Sequence, residues 1–124
     1  MKIFLCLMIL TLTVSANSKP NPRIAYEQAS KGKAVIIDVR ESDEIKSGMI
    51  NKAKWFPLSK IEQDKEWKKD FLKLTKNKKI YLHCRSGKRS EKVKKILNSQ
   101  GIASENLGGY EELKNILPLS GKNK

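Results

Sequence analysis

The sequence predicts a small α/β domain: a parallel sheet flanked by helices on both faces. Three observations carry this. Residues 34–39 read Ala-Val-Ile-Ile-Asp-Val, a β-branched run without polar alternation, the pattern of a strand covered on both sides. Strand-like and helix-like segments alternate along the chain, as layered α/β domains require. The 124 residues suit one core once a leader is set aside.

That leader is residues 1–16. Lys2 precedes an apolar run over residues 3–14, broken only by Thr11 and Thr13, and Val14-Ser15-Ala16 supplies small residues for cleavage. The run is too short to cross a bilayer, which takes about 20 apolar residues. It is read as a signal peptide, so the protein is expected in the periplasm or outside the cell, with no stable membrane anchor. Residues 17–22, with two prolines, form a flexible leader, residues 23–118 the domain and residues 119–124 a basic tail.

Residues 23–30 predict a short strand or turn running into a helix that Lys31-Gly32-Lys33 ends. After the strand at 34–39, residues 41–47 suggest a short helix stopped by Gly48, and residues 53–56 a second strand before Pro57. Residues 59–74 are amphipathic with a break near Asp64, and Trp67 and Phe71, four apart, are core anchors. Residues 79–83 make the next strand. Residues 90–100 make a helix with Val93, Ile96 and Leu97 on one face, closed by Gly101. Residues 102–107 end in a Gly108-Gly109 turn, and residues 110–117 form a last helix before Pro118.

The chain carries 26 Lys and Arg against 13 Asp and Glu, a net charge of +13. Such a charge attracts anions, but few aromatics are interleaved with it and no recognition motif accompanies it, so no nucleic-acid partner is expected. Cleavage after residue 16 removes Cys6 and leaves Cys84 alone, unable to form an internal disulfide. Count alone favours an inert thiol; position favours a reactive one. Cys84 follows a strand and opens Arg85-Ser86-Gly87-Lys88-Arg89-Ser90, which leads into a helix. At that end of an open α/β sheet, unpaired N–H groups and a helix dipole favour an anion, and three cations add to them. The thiol pKa should fall below its free value of about 8.5. Gly87 permits the tight turn, while Ser86 and Ser90 supply hydroxyls, Ser90 also being a candidate helix cap. His83 points to the opposite face from Cys84 by strand alternation and makes a poor base for it.

These residues resemble the active-site loop of rhodanese-like sulfurtransferases, in which a cysteine opens a six-residue loop. Ile37-Asp38-Val39-Arg40-Glu41, residues 48–58 and Leu107-Gly108-Gly109-Tyr110 resemble further family segments in order, so the similarity covers about residues 24–117. Departures lie at Met49, at Asn51-Lys52 and at Leu113, where the family often has an aromatic residue. The resemblance implies a rhodanese-like fold and a thiosulfate sulfurtransferase without cofactor or metal. Cys84 would take a sulfane sulfur as a persulfide and pass it to cyanide or a thiol. Arg85, Lys88 and Arg89 would neutralise the sulfonate, and the backbone of residues 85–89, with Ser86 and Gly87, would cradle the sulfur. Arg89 could instead pair with Asp38 or Glu44. Asp38 and Arg40, at the same end of the sheet, are expected to cap or anchor the loop, with Ser90 supporting it. Two alternatives stand beside this: a non-catalytic sulfur carrier or anion-binding module, and a Cys-x5-Arg phosphatase or arsenate reductase. The latter needs Arg at position 90, where Ser90 stands.

Overall fold

The computed structural model describes residues 19–121. The expected signal peptide, the first two residues of the expected leader and the last three of the expected tail lie outside the described residues. Helix α1 (Pro22–Ser30) begins at once, without the expected strand or turn and at the last residue of the expected leader. The cause is local: Asn21 Oδ1 accepts the N–H groups of Arg23 at 2.9 Å and Ile24 at 3.4 Å, and Pro22 occupies the first helical position, where its missing N–H costs nothing.

Strand β1 (Ala34–Asp38) follows, then α2 (Ser42–Ile45), β2 (Ala53–Trp55), α3 (Leu58–Gln63), α4 (Trp67–Thr75), β3 (Lys79–Cys84), α5 (Lys88–Ser99), β4 (Glu105–Gly109) and α6 (Tyr110–Leu113). The four strands form one parallel sheet in the order β2-β1-β3-β4. Its central strands are buried on both faces, as their apolar runs require. Val35, Ile37, Ile80, Leu82 and Cys84 face a core shared with Phe71 of α4 and with Val93 and Leu97 of α5. Ala34, Ile36 and Tyr81 face the other core, with Ala25 of α1 and with Tyr110 and Leu113 of α6. The break near Asp64 separates α3 from α4, and Phe71 packs edge-on against Phe56 at 5.2 Å between ring centroids.

Three boundaries differ from expectation, each with a reason. Helix α5 starts at Lys88 because Gly87, at φ 99°, takes the N-cap position and places Ser90 inside the first turn. The glycine pair is not a turn but the end of β4. Register slips there, with Asn106 opposite Leu82 and Gly108 opposite His83, so Leu107 is the extra residue of a bulge. Helix α6 stops at Leu113 and continues as turns to Ile116, in which the Asn115 and Ile116 N–H groups reach back three residues instead of four, and Pro118 disfavours helical geometry at Leu117. Part of the expected tail is tied to the body: Ile50 bridges Leu119, and the Ser120 N–H donates to the Met49 carbonyl at 2.9 Å.

Candidate active site

The parallel register brings the carboxyl ends of all four strands to one edge, and there β3 delivers Cys84 into the loop that precedes α5. Cys84 is a buried free thiol. Its Sγ accepts the Gly87 N–H at 3.0 Å and lies 3.3 Å from the Ser90 hydroxyl. Burial pushes the thiol pKa up. The Ser90 hydroxyl and the N–H groups of Ser90, Gly87 and Ser86 favour the thiolate, and the net result is a pKa below the ordinary value. Hydrogen bonds to the sulfur therefore outweigh its desolvation.

The loop's shape rests on one left-handed residue and one close approach. Gly87 has φ 99°, in the left-handed region that favours glycine, while a Cβ there would make only ordinary contact with the Gly108 Cα at 3.4 Å. A Cβ on Gly109 would stand 2.3 Å from the Arg85 carbonyl oxygen, so β4 and the loop touch backbone to backbone.

The charged residues divide. Arg85, Ser86 and Lys88 are exposed around the loop. Arg85 borders a depression of about 200 Å³ with Arg40, Glu44, Ser47 and Glu111. Arg89 is committed to a two-point ion pair with Glu44, its Nη2 reaching Oε2 at 2.7 Å and its Nη1 reaching Oε1. Of the two carboxylates considered for it, Glu44 is the one it meets. That pairing holds the Glu44 carboxyl at about 2, well below its usual 4.5.

Asp38 meets Arg40 instead. Arg40 is 2% exposed; its Nη2 donates to Asp38 Oδ2 and to the Gly48 carbonyl, both at 2.7 Å, and its guanidinium lies over the Tyr110 ring at 3.9 Å from the centroid. The pair thus ties β1 to α6 and to the segment after α2. It lies on the sheet face opposite Cys84, in company with buried His83. Burial lowers the His83 pKa, disfavouring the charged ring, while Asp38 and the Cys84 carbonyl act in the opposite direction. His83 Nδ1 lies 3.2 Å from the Cys84 carbonyl oxygen, not the thiol.

Sequence reasoning passed over Asn106. Its Oδ1 accepts the Ser90 hydroxyl at 2.8 Å and the Gly108 N–H at 2.9 Å, and its Nδ2 donates to the Gly87 carbonyl at 3.0 Å and Glu91 Oε2 at 3.1 Å. The available signal was one amide in a short strand, too weak to single out. Among the described residues no group of three or more His, Cys, Asp or Glu is arranged to hold a metal, and no helix is long and apolar enough to cross a membrane.

Comparison with known proteins points the same way. A mitochondrial protein of Schizosaccharomyces pombe, provisionally named a thiosulfate sulfurtransferase, is 39% identical over 83 residues, covering 61% of this chain and 57% of the relative. Bacillus subtilis YtwF, provisionally named a sulfurtransferase, is 38% identical over 74 residues, covering 60% of this chain and 66% of that protein. The chain thus spans less than two thirds of the length of either relative. The crystal structure of a rhodanese-related protein from Thermoplasma volcanium superposes with a TM-score of 0.65 at 25% identity, covering 82% of this chain and 95% of its own. The rhodanese-like domain matches residues 21–116, which include the cysteine loop, the Asp38–Arg40 pair and the glycine pair packed against the loop, and the chain belongs to the rhodanese-like family.

Proposed function

We propose that this protein is a thiosulfate sulfurtransferase working through a Cys84 persulfide. The Cys84 thiolate attacks the outer sulfur of thiosulfate, the sulfur–sulfur bond of the donor breaks, and sulfite leaves with the bonding pair. The persulfide anion then gives its terminal sulfur to cyanide, forming thiocyanate, or to a thiolate, forming a new persulfide, and the Cys84 thiolate returns. No proton, electron or cofactor is needed to balance either step. The observation that carries this reading is the convergence of the Gly87 N–H and the Ser90 hydroxyl on Sγ. Such donors stabilise the attacking thiolate and remain in place for the persulfide.

Exposed Arg85 and Lys88 are the cations free to meet the sulfonate, since Glu44 occupies Arg89. Arg89 then serves the loop from outside, fixing the start of α5 to α2. Cys84 is buried, so the donor must reach it past the exposed loop residues Arg85, Ser86 and Lys88. The Arg position also favours sulfur over phosphate chemistry, because the residue six after Cys84 is a serine bonded to the thiol.

Export through residues 1–16 is part of the proposal, supported by their charge and apolar pattern. Thiosulfate-dependent conversion of cyanide to thiocyanate should be catalytic in the purified protein and abolished by Cys84→Ser. Loading of one sulfur per chain without turnover would make it a carrier instead. Intact-mass spectrometry of protein from the periplasmic fraction should find a chain starting at Asn17 and, after thiosulfate treatment, one extra sulfur on Cys84. A full-length chain there would refute cleavage.

A further inference from the structure

We propose that Asn106 is a positioning residue that keeps the Ser90 hydroxyl and the Gly87 peptide aimed at the Cys84 sulfur. The proposal rests on Cys84 being the nucleophile, but it concerns how the thiolate is held and not which donor it meets.

The orientation of the Asn106 amide is fixed by its neighbours. Nδ2 faces two acceptors, the Gly87 carbonyl and Glu91 Oε2, while Oδ1 faces the Gly108 N–H, a donor. Turning the amide over would set its oxygen against both acceptors. Its contact with Ser90 is therefore one in which the hydroxyl donates to Oδ1. The Gly87 carbonyl, 3.1 Å from Ser90 Oγ, can likewise only accept. The single Ser90 proton thus has three acceptors within reach: Asn106 Oδ1 at 2.8 Å, Gly87 O at 3.1 Å and Cys84 Sγ at 3.3 Å.

Asn106 decides among them. Its Oδ1 keeps the Gly108 N–H when the hydroxyl turns to the sulfur, so the amide releases that proton without being left unsatisfied. Its Nδ2, at 3.0 Å, and the Glu91 N–H, at 3.2 Å, together take both lone pairs of the Gly87 carbonyl, which removes that oxygen's claim on the hydroxyl. With Cys84 as a thiolate, the hydroxyl donates to sulfur. With Cys84 protonated, the thiol hydrogen can point to Ser90 Oγ and the hydroxyl returns to Oδ1. The same amide links the N-cap of α5 to the bulge of β4, so the Gly87 N–H is held on the sulfur by a strand distant in sequence.

Asn106→Leu keeps the approximate size but leaves the Gly87 carbonyl to compete for the Ser90 proton. The pH midpoint of Cys84 alkylation by iodoacetamide should rise by about half to one unit, about a three- to tenfold slower reaction at pH 6. Asn106→Asp should raise it further, since a carboxylate faces Gly87 O and brings negative charge toward the thiolate. The discriminating measurement is the double variant with Ser90→Ala, in which Asn106→Leu should shift the midpoint by less than it does alone, because the route through the hydroxyl is gone and only the hold on the Gly87 peptide remains. Leu117→Ala, a truncation in the core on the sheet face opposite Cys84, should lower the melting temperature and leave the midpoint alone. An unchanged midpoint in Asn106→Leu, or an equal shift with and without Ser90, would overturn the proposal. Alkylation needs no sulfur donor, so failure of the sulfurtransferase reading would show separately, as normal alkylation without sulfur transfer.

Discussion

Gly109→Ala isolates the backbone contact that shapes the cysteine loop. Gly109 has φ −115° and ψ 145°, extended geometry open to any residue, so alanine brings no backbone strain. Its Cβ would nevertheless stand 2.3 Å from the Arg85 carbonyl oxygen and 2.8 Å from the Ser86 Cα. Since Cβ contacts are essentially never below 3.0 Å, loop and strand must separate by at least 0.7 Å. That movement is comparable to the margin between a good and a poor hydrogen bond from the Gly87 N–H, now 3.0 Å from Sγ. Misplacement on the scale of 1 Å costs about a hundredfold in rate, about 2.7 kcal/mol of transition-state stabilisation. Overpacking should cost about 1–3 kcal/mol of stability. Gly108→Ala is the matched comparison. Its φ of 103° brings strain of about 1–2 kcal/mol, but the new Cβ would meet only the end of the Lys19 side chain, at 3.2 Å. Steady-state thiosulfate-to-cyanide kinetics, alkylation pH profiles and thermal melts on both variants should show comparable destabilisation, with activity lost only in Gly109→Ala. A folded Gly109→Ala protein with unchanged kcat/KM and alkylation midpoint would refute the loop-contact argument.

Two further expectations concern the ion pairs. The Glu44 carboxyl is held at about 2 against an ordinary 4.5, so its stabilisation is full above pH 4.5 and disappears as the pH falls from 4.5 toward 2. Allowing for solvent screening at this partly exposed pair, the contribution is on the order of 1–2 kcal/mol, and urea titrations of Glu44→Gln should show the acid-limb slope flattened in that window. Asp38→Ala should cost about 3–5 kcal/mol by leaving the Arg40 charge buried without its partner; Asp38→Ala combined with Arg40→Met should be less destabilised than the single variant, as chemical denaturation would measure.

Much of the architecture was legible because it is written in local patterns. The β-branched run of β1 and the apolar run of β3 report burial on both faces, whatever covers them. The break between α3 and α4, the core role of Phe71 and the opposite facing of His83 and Cys84 follow from helical and strand periodicity. Where boundaries went astray, a neighbour's geometry had prevailed. Asn21 and Pro22 started α1 directly, and Gly87 took the cap position ahead of Ser90.

For this protein the sequence by itself determined the order of elements, the family resemblance, and the place of Cys84 between a buried strand and a helix start. Those features depend on residues a few positions apart, whose spacing the chain carries directly. Tertiary structure alone decided the partners. Arg89 meets Glu44 across 45 positions, Asn106 reaches the cysteine loop from β4, and Gly109 is required because the Arg85 carbonyl occupies the space a side chain would need. Such choices depend on which strands become neighbours and on the register at which they pair, and no local period encodes either.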